Sequence, residues 1–135
     1  VNPQANALIA AYYDAFNKGD MDAFYSLLTE DVIHDSNQGG REVGKAPFRA
    51  FMERMNASYK ERLVDMVIMS HPAGERAAAE FVVLGEYLKT DAGLPEANGQ
   101  TYRLPAGAFF DIRDGKIARV TNYYNLEDWI RQVSA

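Results

Sequence analysis

Leu8, Tyr12 and Phe16 recur at i, i+4 and i+8 and set an apolar stripe along a helix predicted over residues 7–16. Lys18-Gly19-Asp20 breaks that pattern. Asp20 is suited to cap a second helix over residues 21–28, where Met21, Phe24, Leu27 and Leu28 share a side. Val32-Ile33-His34 reads as a short strand entering a polar, glycine-bearing loop over residues 35–44. A third helix, residues 47–59, opens on proline and carries Phe48, Phe51, Met52 and Met55. The pattern then changes to strands over residues 63–69, 76–88, 100–112 and 116–124. They are separated by His71-Pro72-Ala73-Gly74, Asp91-Ala92-Gly93 and Asp114-Gly115. Asp114-Gly115 is the strongest hairpin signal, because both residues accept the positive φ of a two-residue turn. A last helix spans residues 126–133, with Asn125 as its cap and Leu126, Trp129, Ile130 and Val133 as its apolar side.

Helices followed by a run of antiparallel strands predict an α+β layer fold with the helices on one face of the sheet. No repeat, linker or low-complexity tract divides the chain, so one domain over residues 1–135 is expected. Hydrophobic residues make up 47% and charged residues 24%, which is a globular composition. The formal charge of -5 sets a long-range field that repels nucleic acid and anionic membranes, so neither is expected as a partner. No apolar run approaches the roughly 18 residues that span a bilayer, and VNPQAN lacks the features of a signal peptide. A soluble, cytoplasmic protein is therefore expected. With no cysteine there is no thiolate nucleophile and no cysteine metal site, and the two histidines are His34 and His71. No helical His-x-x-x-His or EF-hand spacing is present, so no metal and no cofactor is expected.

Particular stretches resemble a known group. Tyr12-Tyr13-Asp14-Ala15-Phe16-Asn17-Lys18-Gly19-Asp20, followed by Leu27-Leu28-Thr29-Glu30-Asp31-Val32, is similar to the opening of nuclear transport factor 2-like domains. That group includes ketosteroid isomerases and SnoaL-like polyketide cyclases. Phe110-Asp111-Ile112-Arg113-Asp114-Gly115-Lys116-Ile117 and Asn122-Tyr123-Tyr124-Asn125 resemble its last hairpin. The resemblance covers nearly the whole chain and looks closest to small ketosteroid isomerase-related, SnoaL-like proteins. It implies a cone-shaped α+β barrel: a curved, mostly antiparallel sheet wrapped around the N-terminal helices, a short C-terminal helix and an apolar pocket. Such folds host several chemistries and also non-catalytic adaptors.

Ketosteroid isomerases combine an aspartate base with a tyrosine and a protonated aspartic acid that stabilise an enolate. Carried over, the tyrosine falls on Tyr12, the base on Ser36 with Asp35 one residue earlier, and the second acid on Ala108. The acid role is empty. A one-residue shift exchanges strand faces, so Asp35 points inward only if a bulge or the strand's end intervenes. Orthodox steroid isomerisation is not expected.

Alternation nominates a pocket from Tyr12, His34, Ser36, Phe81, Val83, Gly85, Tyr87, Ala108, Phe110, Asn122 and Tyr124. Tyr12, His34 and Asp35 are the catalytic candidates. Tyr12 and Tyr124 could donate to a carbonyl or enolate oxygen, Asn122 could orient it, and His34 has an intrinsic pKa suited to moving protons near neutrality. Ser36, Phe81, Tyr87 and Phe110 complete the substrate-binding candidates. The plainer readings stand beside these: a satisfied core tyrosine for Tyr12, a structural histidine for His34, a loop-capping role for Asp35, and cross-strand partners for Asn122 and Tyr124. Gly39 to Ala46 has phosphate-loop spacing, but Ala46 lacks the magnesium-binding hydroxyl and Pro47 removes a backbone donor. Asn56-Ala57-Ser58 matches a glycosylation sequon on a predicted helix.

Two functions are compatible with these residues. One is a cofactor-independent isomerase, cyclase or dehydratase that transfers protons on an apolar, carbonyl-bearing small molecule. The other is a non-catalytic small-ligand-binding or dimeric association domain. A homodimer is expected through the outer face of the sheet, where Val82 and Leu84 alternate with the pocket-facing set.

Overall fold

The computed structural model describes residues 1–134. Helix α1 (Pro3–Lys18) begins earlier than the apolar stripe requires, because Asn2 accepts a bond from the Ala5 amide at 3.0 Å and Pro3 occupies the first helical turn. Gly19, at φ 73°, ends it: the amides of Gly19 and Asp20 return to the carbonyls of Phe16 and Ala15. Its buried face is centred on Ile9, Tyr12 and Tyr13, while Leu8 and Phe16 flank it. Asp20 caps α2 (Met21–Ser26) through the Ala23 amide. Leu28 then opens strand β1 (Leu28–Asp35) instead of extending the helix.

The polar segment after β1 contains a strand the sequence pattern did not predict, β2 (Arg41–Val43), folded back antiparallel on residues 33–35. Helix α3 (Lys45–Ser58) follows from Gly44. The segment with phosphate-loop spacing is thus a hairpin arm and a helix entry. Four strands complete the sheet: β3 (Tyr59–Ser70), β4 (Arg76–Tyr87), β5 (Gln100–Arg113) and β6 (Lys116–Tyr124). Asp114 and Gly115, at φ 52° and 74°, make the two-residue turn between β5 and β6. Asn125 caps α4 (Leu126–Ser134) by accepting from the Asp128 amide at 3.0 Å.

The strand order is β2-β1-β6-β5-β4-β3, antiparallel throughout except for the β1–β6 pair. The sheet is curved and not closed, with β2 and β3 as its edges. β3 carries a bulge between Val64 and Val67, with Asp65 at φ 54°, which bends that edge. The Asn17 side chain holds the β3 edge at Leu63, accepting from its amide and donating to its carbonyl. One core lies between helices and sheet, centred on Ile9, Phe24, Leu28, Val32, Phe48, Phe110, Ile117 and Val120, each 1% exposed or less. No helix of the described residues is long and apolar enough to cross a membrane.

Candidate functional site

Strand alternation gathers His34, Val120, Phe110 and Ala77 on one transverse row of the inner sheet face, and Asn122, Ala108 and Ala79 on the next. Above this face an aromatic series runs from α1 to β1. Tyr13 packs on Phe81 at 5.1 Å and on the edge of Tyr12 at 5.0 Å, and Tyr12 stacks on Phe24 at 4.4 Å. Phe24 meets Phe48 edge-on at 6.0 Å, and the His34 ring lies flat on Phe48 at 4.4 Å with Phe51 tilted against it at 4.5 Å. Phe110 closes the floor beneath Tyr12 and Tyr13.

Two polar groups in this wall lack protein partners. His34 is 2% exposed and neither ring nitrogen makes a hydrogen bond among the described residues; the buried Tyr13 hydroxyl is likewise unbonded. An unmet buried polar group costs roughly 1–3 kcal/mol, so each marks a place where a ligand's polar atom would be stabilised. Burial lowers the His34 pKa, only partly opposed by Glu42 and Asp35, so the imidazole is neutral near pH 7, with one nitrogen free to accept a proton. Burial raises the pKa of Tyr12 and of Tyr13, each with a smaller contribution from a neighbouring tyrosine. Both phenols therefore remain donors.

The other sequence candidates fall in three places. Phe81 and Phe110 are buried walls of the series. Asn122 is half-buried on the inner row beside Ala108, and Tyr124, 39% exposed, stands at the rim, its amide bonded to Asn37. Tyr87 is fully buried away from this wall: its hydroxyl donates to the Pro95 carbonyl at 2.5 Å and accepts from the Asp91 amide at 3.0 Å, which ties down the loop after β4. Ser36 lies in the turn to β2, where its backbone and hydroxyl engage Gly40.

The fold does not bring Asp35 together with His34. Adjacent strand residues face opposite ways, and the Asp35 side chain lies on the outer face. Arg41 donates to both its oxygens, at 2.6 and 3.0 Å, and Thr121 donates to it at 2.6 Å. The network continues through Arg119 to Asp111 and Arg76. Arg41, above all, holds the Asp35 carboxyl down at about 2, so this group is a poor proton acceptor near neutrality and an anchor for the β1–β2 hairpin.

Two features were missed from the sequence. Tyr13 is four residues from Ile9, the most buried residue of α1, so a stripe centred on Ile9 would have nominated it. Glu61 faces inward on β3, with Tyr59 and Leu63, opposite Gly85. The parity running back from Leu63 predicts this, but the run Lys60-Glu61-Arg62 hides it. The Tyr102 hydroxyl donates to Glu61 Oε2 at 2.5 Å, and Trp129 packs on Tyr102 at 5.9 Å. No group of three or more metal-binding side chains occurs among the described residues.

The SnoaL-like domain model matches residues 9–120. Among solved structures, a candidate polyketide cyclase from Pseudomonas putida is 67% identical over 96% of this chain and 97% of its own, with a TM-score of 0.94. A candidate polyketide cyclase from a Silicibacter species is 57% identical over 99% and 98%, with a TM-score of 0.96. A nuclear transport factor 2-like protein from Burkholderia pseudomallei, at 17% identity over 98% of both chains, shares the fold with a TM-score of 0.82. Among curated proteins no match is found.

Proposed function

The chain belongs to the SnoaL-like family, and from that premise we propose that it catalyses cofactor-independent proton transfer on an apolar, carbonyl-bearing substrate. The observation that carries this reading is His34, a 2% exposed, neutral imidazole with two unbonded nitrogens against Phe48 and Phe51. In this mechanism His34 takes a proton from the carbon next to the carbonyl. The electron pair moves onto the carbonyl oxygen, where the Tyr13 and Tyr12 hydroxyls donate hydrogen bonds, and the proton returns at a second carbon. Phe81 and Phe110 hold the apolar body, with Asn122 and Tyr124 at the rim. Asp35 has no part in the transfer, because its carboxylate is committed to Arg41 and Thr121. The likeness to candidate polyketide cyclases supports a cyclisation or isomerisation over hydrolysis.

The test is deuterium uptake by 2-tetralone in heavy water, read by mass spectrometry. Wild-type protein is expected to exchange the positions next to the carbonyl faster than buffer, and His34→Gln to slow this at least tenfold with an unchanged melting temperature. Exchange no faster than buffer, or equal in the variant, rejects the mechanism. The close 4.4 Å stacks of Tyr12 on Phe24 and His34 on Phe48 favour a second reading, a binding or association domain with a filled interior. Saturable 2-tetralone binding without exchange would select it.

The homodimer is proposed through the outer sheet face. Val67, Met69, Leu84, Phe109 and Tyr123 are between 39% and 55% exposed there, beyond what scattered surface apolar residues require. Sedimentation at micromolar concentration should find a dimer, and Phe109→Arg should convert it to monomer by placing a charge within the face. A wild-type monomer removes the proposal.

A further inference from the structure

Strand β2 buries none of its three residues, so its place in the fold rests on what it presents. Its hairpin with β1 is pinned on both sides of one residue pair. The Ser36 amide donates to the Gly40 carbonyl at 2.9 Å and the Gly44 amide to the Val32 carbonyl at 2.8 Å. Between them Glu42 stands directly opposite His34. By the alternation of an antiparallel ladder, the two are then a hydrogen-bonded pair with Cα atoms about 5.5 Å apart, and their side chains leave the same face. Arg41, donating to both oxygens of Asp35 on the outer face, locks this register. A slip of one residue would set Arg41 or Val43 against the imidazole instead.

The chemistry proposed for His34 needs what Glu42 carries. An imidazole that takes a proton from substrate becomes an imidazolium, here at a position 2% exposed and packed on Phe48 and Phe51. A buried charge without a counter-ion is strongly unfavourable. Burial lowers the His34 pKa, and Glu42, ahead of Asp35, opposes it. Asp35 is committed to Arg41 and Thr121, whereas Glu42 enters none of the ion pairs among the described residues. The neighbouring cations are engaged elsewhere. On the outer face Arg119 of β6 binds Asp111. On α3, Lys45 pairs with Glu30, Arg49 lies over the Tyr25 ring at 4.1 Å and Arg54 over the Phe51 ring at 5.5 Å. Glu53, the acid of α3, acts on Tyr25.

We infer that Glu42 is the positioning residue of His34: its carboxylate closes on the ring from the neighbouring strand, accepts the N–H of one nitrogen and leaves the other nitrogen as the base. This rests on the proton-transfer reading of His34. Neither ring nitrogen is otherwise bonded among the described residues, and Glu42 is exposed, so closure takes a change of side-chain rotamer and no new backbone path. In the transfer, the substrate proton moves to the free nitrogen and the positive charge is held against Glu42, whose bond keeps the other proton on the ring. The transferred proton then passes to the second carbon of the substrate, and the imidazole is neutral again.

Nitrogen-15 NMR titration of the His34 ring and exchange of 2-tetralone test the pair separately. Glu42→Gln should lower the His34 midpoint, because the anion that favours the imidazolium is gone. The difference from wild type should persist at about 0.5 M salt, where a distant exposed charge is screened. Glu42→Asp keeps the charge and should restore part of the midpoint, while Glu53→Gln should leave it at the wild-type value. In the exchange assay at neutral pH, Glu42→Gln should lower kcat about threefold or more with KM unchanged, and move the acid limb of the rate profile to lower pH. An unchanged midpoint, or a difference that vanishes at high salt, would overturn the inference even where exchange is observed. A lowered midpoint with wild-type kcat would overturn it too, since Glu42 would then have no part in the transfer. Failure of the wild type to exchange 2-tetralone would reject the proton-transfer reading alone, and a salt-resistant midpoint difference would still establish the pair.

Discussion

Phe110→Ala is expected to destabilise the protein by about 3–5 kcal/mol, the range for removing a buried aromatic side chain. Phe110 is fully buried in the middle of β5, under Tyr12 and Tyr13, between Ala77 of β4 and Val120 of β6. Its neighbours cannot refill the space, since Ala77 and Ala108 are small and fixed by ladder hydrogen bonds. For a chain of this length the melting temperature should drop by roughly 10 °C or more. Thermal unfolding monitored by circular dichroism is the measurement. A loss below about 1 kcal/mol would mean that α1 can settle onto the sheet. Because the aromatic floor is also the floor of the proposed site, Phe110→Leu is the companion: it keeps most of the volume and should cost under about 1.5 kcal/mol.

Gly85→Ala should be the most damaging single-methyl addition in the sheet. The new Cβ meets ring atoms of Tyr102, which is 5% exposed and therefore cannot swing into solvent without unpacking from Trp129. Overpacking of this kind costs about 1–3 kcal/mol, and displacing the ring also breaks a hydrogen bond to a carboxylate, worth about 1.5–3 kcal/mol. A total near 3 kcal/mol or more in urea denaturation is the expected result. The diagnosis is checked by Gly85→Ala combined with Tyr102→Ala. If the clash is the cause, the double variant should be less destabilised than the two single changes added together. Strict additivity would place the damage in the β4 backbone instead.

The parts of this fold that were legible in the sequence are those in which one face alternates cleanly. β4 and β6 run within a residue of their predicted bounds, as do the Asp114-Gly115 turn and the caps at Asp20 and Asn125. Family membership and the curved α+β fold follow the expectation as well. What escaped has a common cause: polar sequence made into strand by its partners. β2 is three exposed residues with no apolar signal, and it exists because Asp35 binds Arg41 and the strand ladder does the rest. The start of β1 pairs in parallel with β6 across a bulge, a contact that local periodicity does not encode. In β3 the pattern puts Tyr59 at the end of the preceding helix and assigns Lys60-Glu61-Arg62 to no element, whereas Tyr87 and Gly85 pair with this stretch and make it strand. The same blindness applies to the site. Tyr12, His34, Phe81 and Phe110 were reachable from alternation, whereas Glu61 was masked by the rule that charged residues face water.

The parallel β1–β6 pair also dictates an order of assembly. His34 must wait for Val120, and Leu28 for Ile117, before either ladder closes. During synthesis, β1 leaves the ribosome long before β6, and only the three-residue β2 and the flanking helices can shield it meanwhile. Contacts so distant in sequence make for slow folding and a prolonged exposed strand edge. The β1 edge of the nascent N-terminal half therefore stays unpaired on its β6 side until the last hairpin arrives.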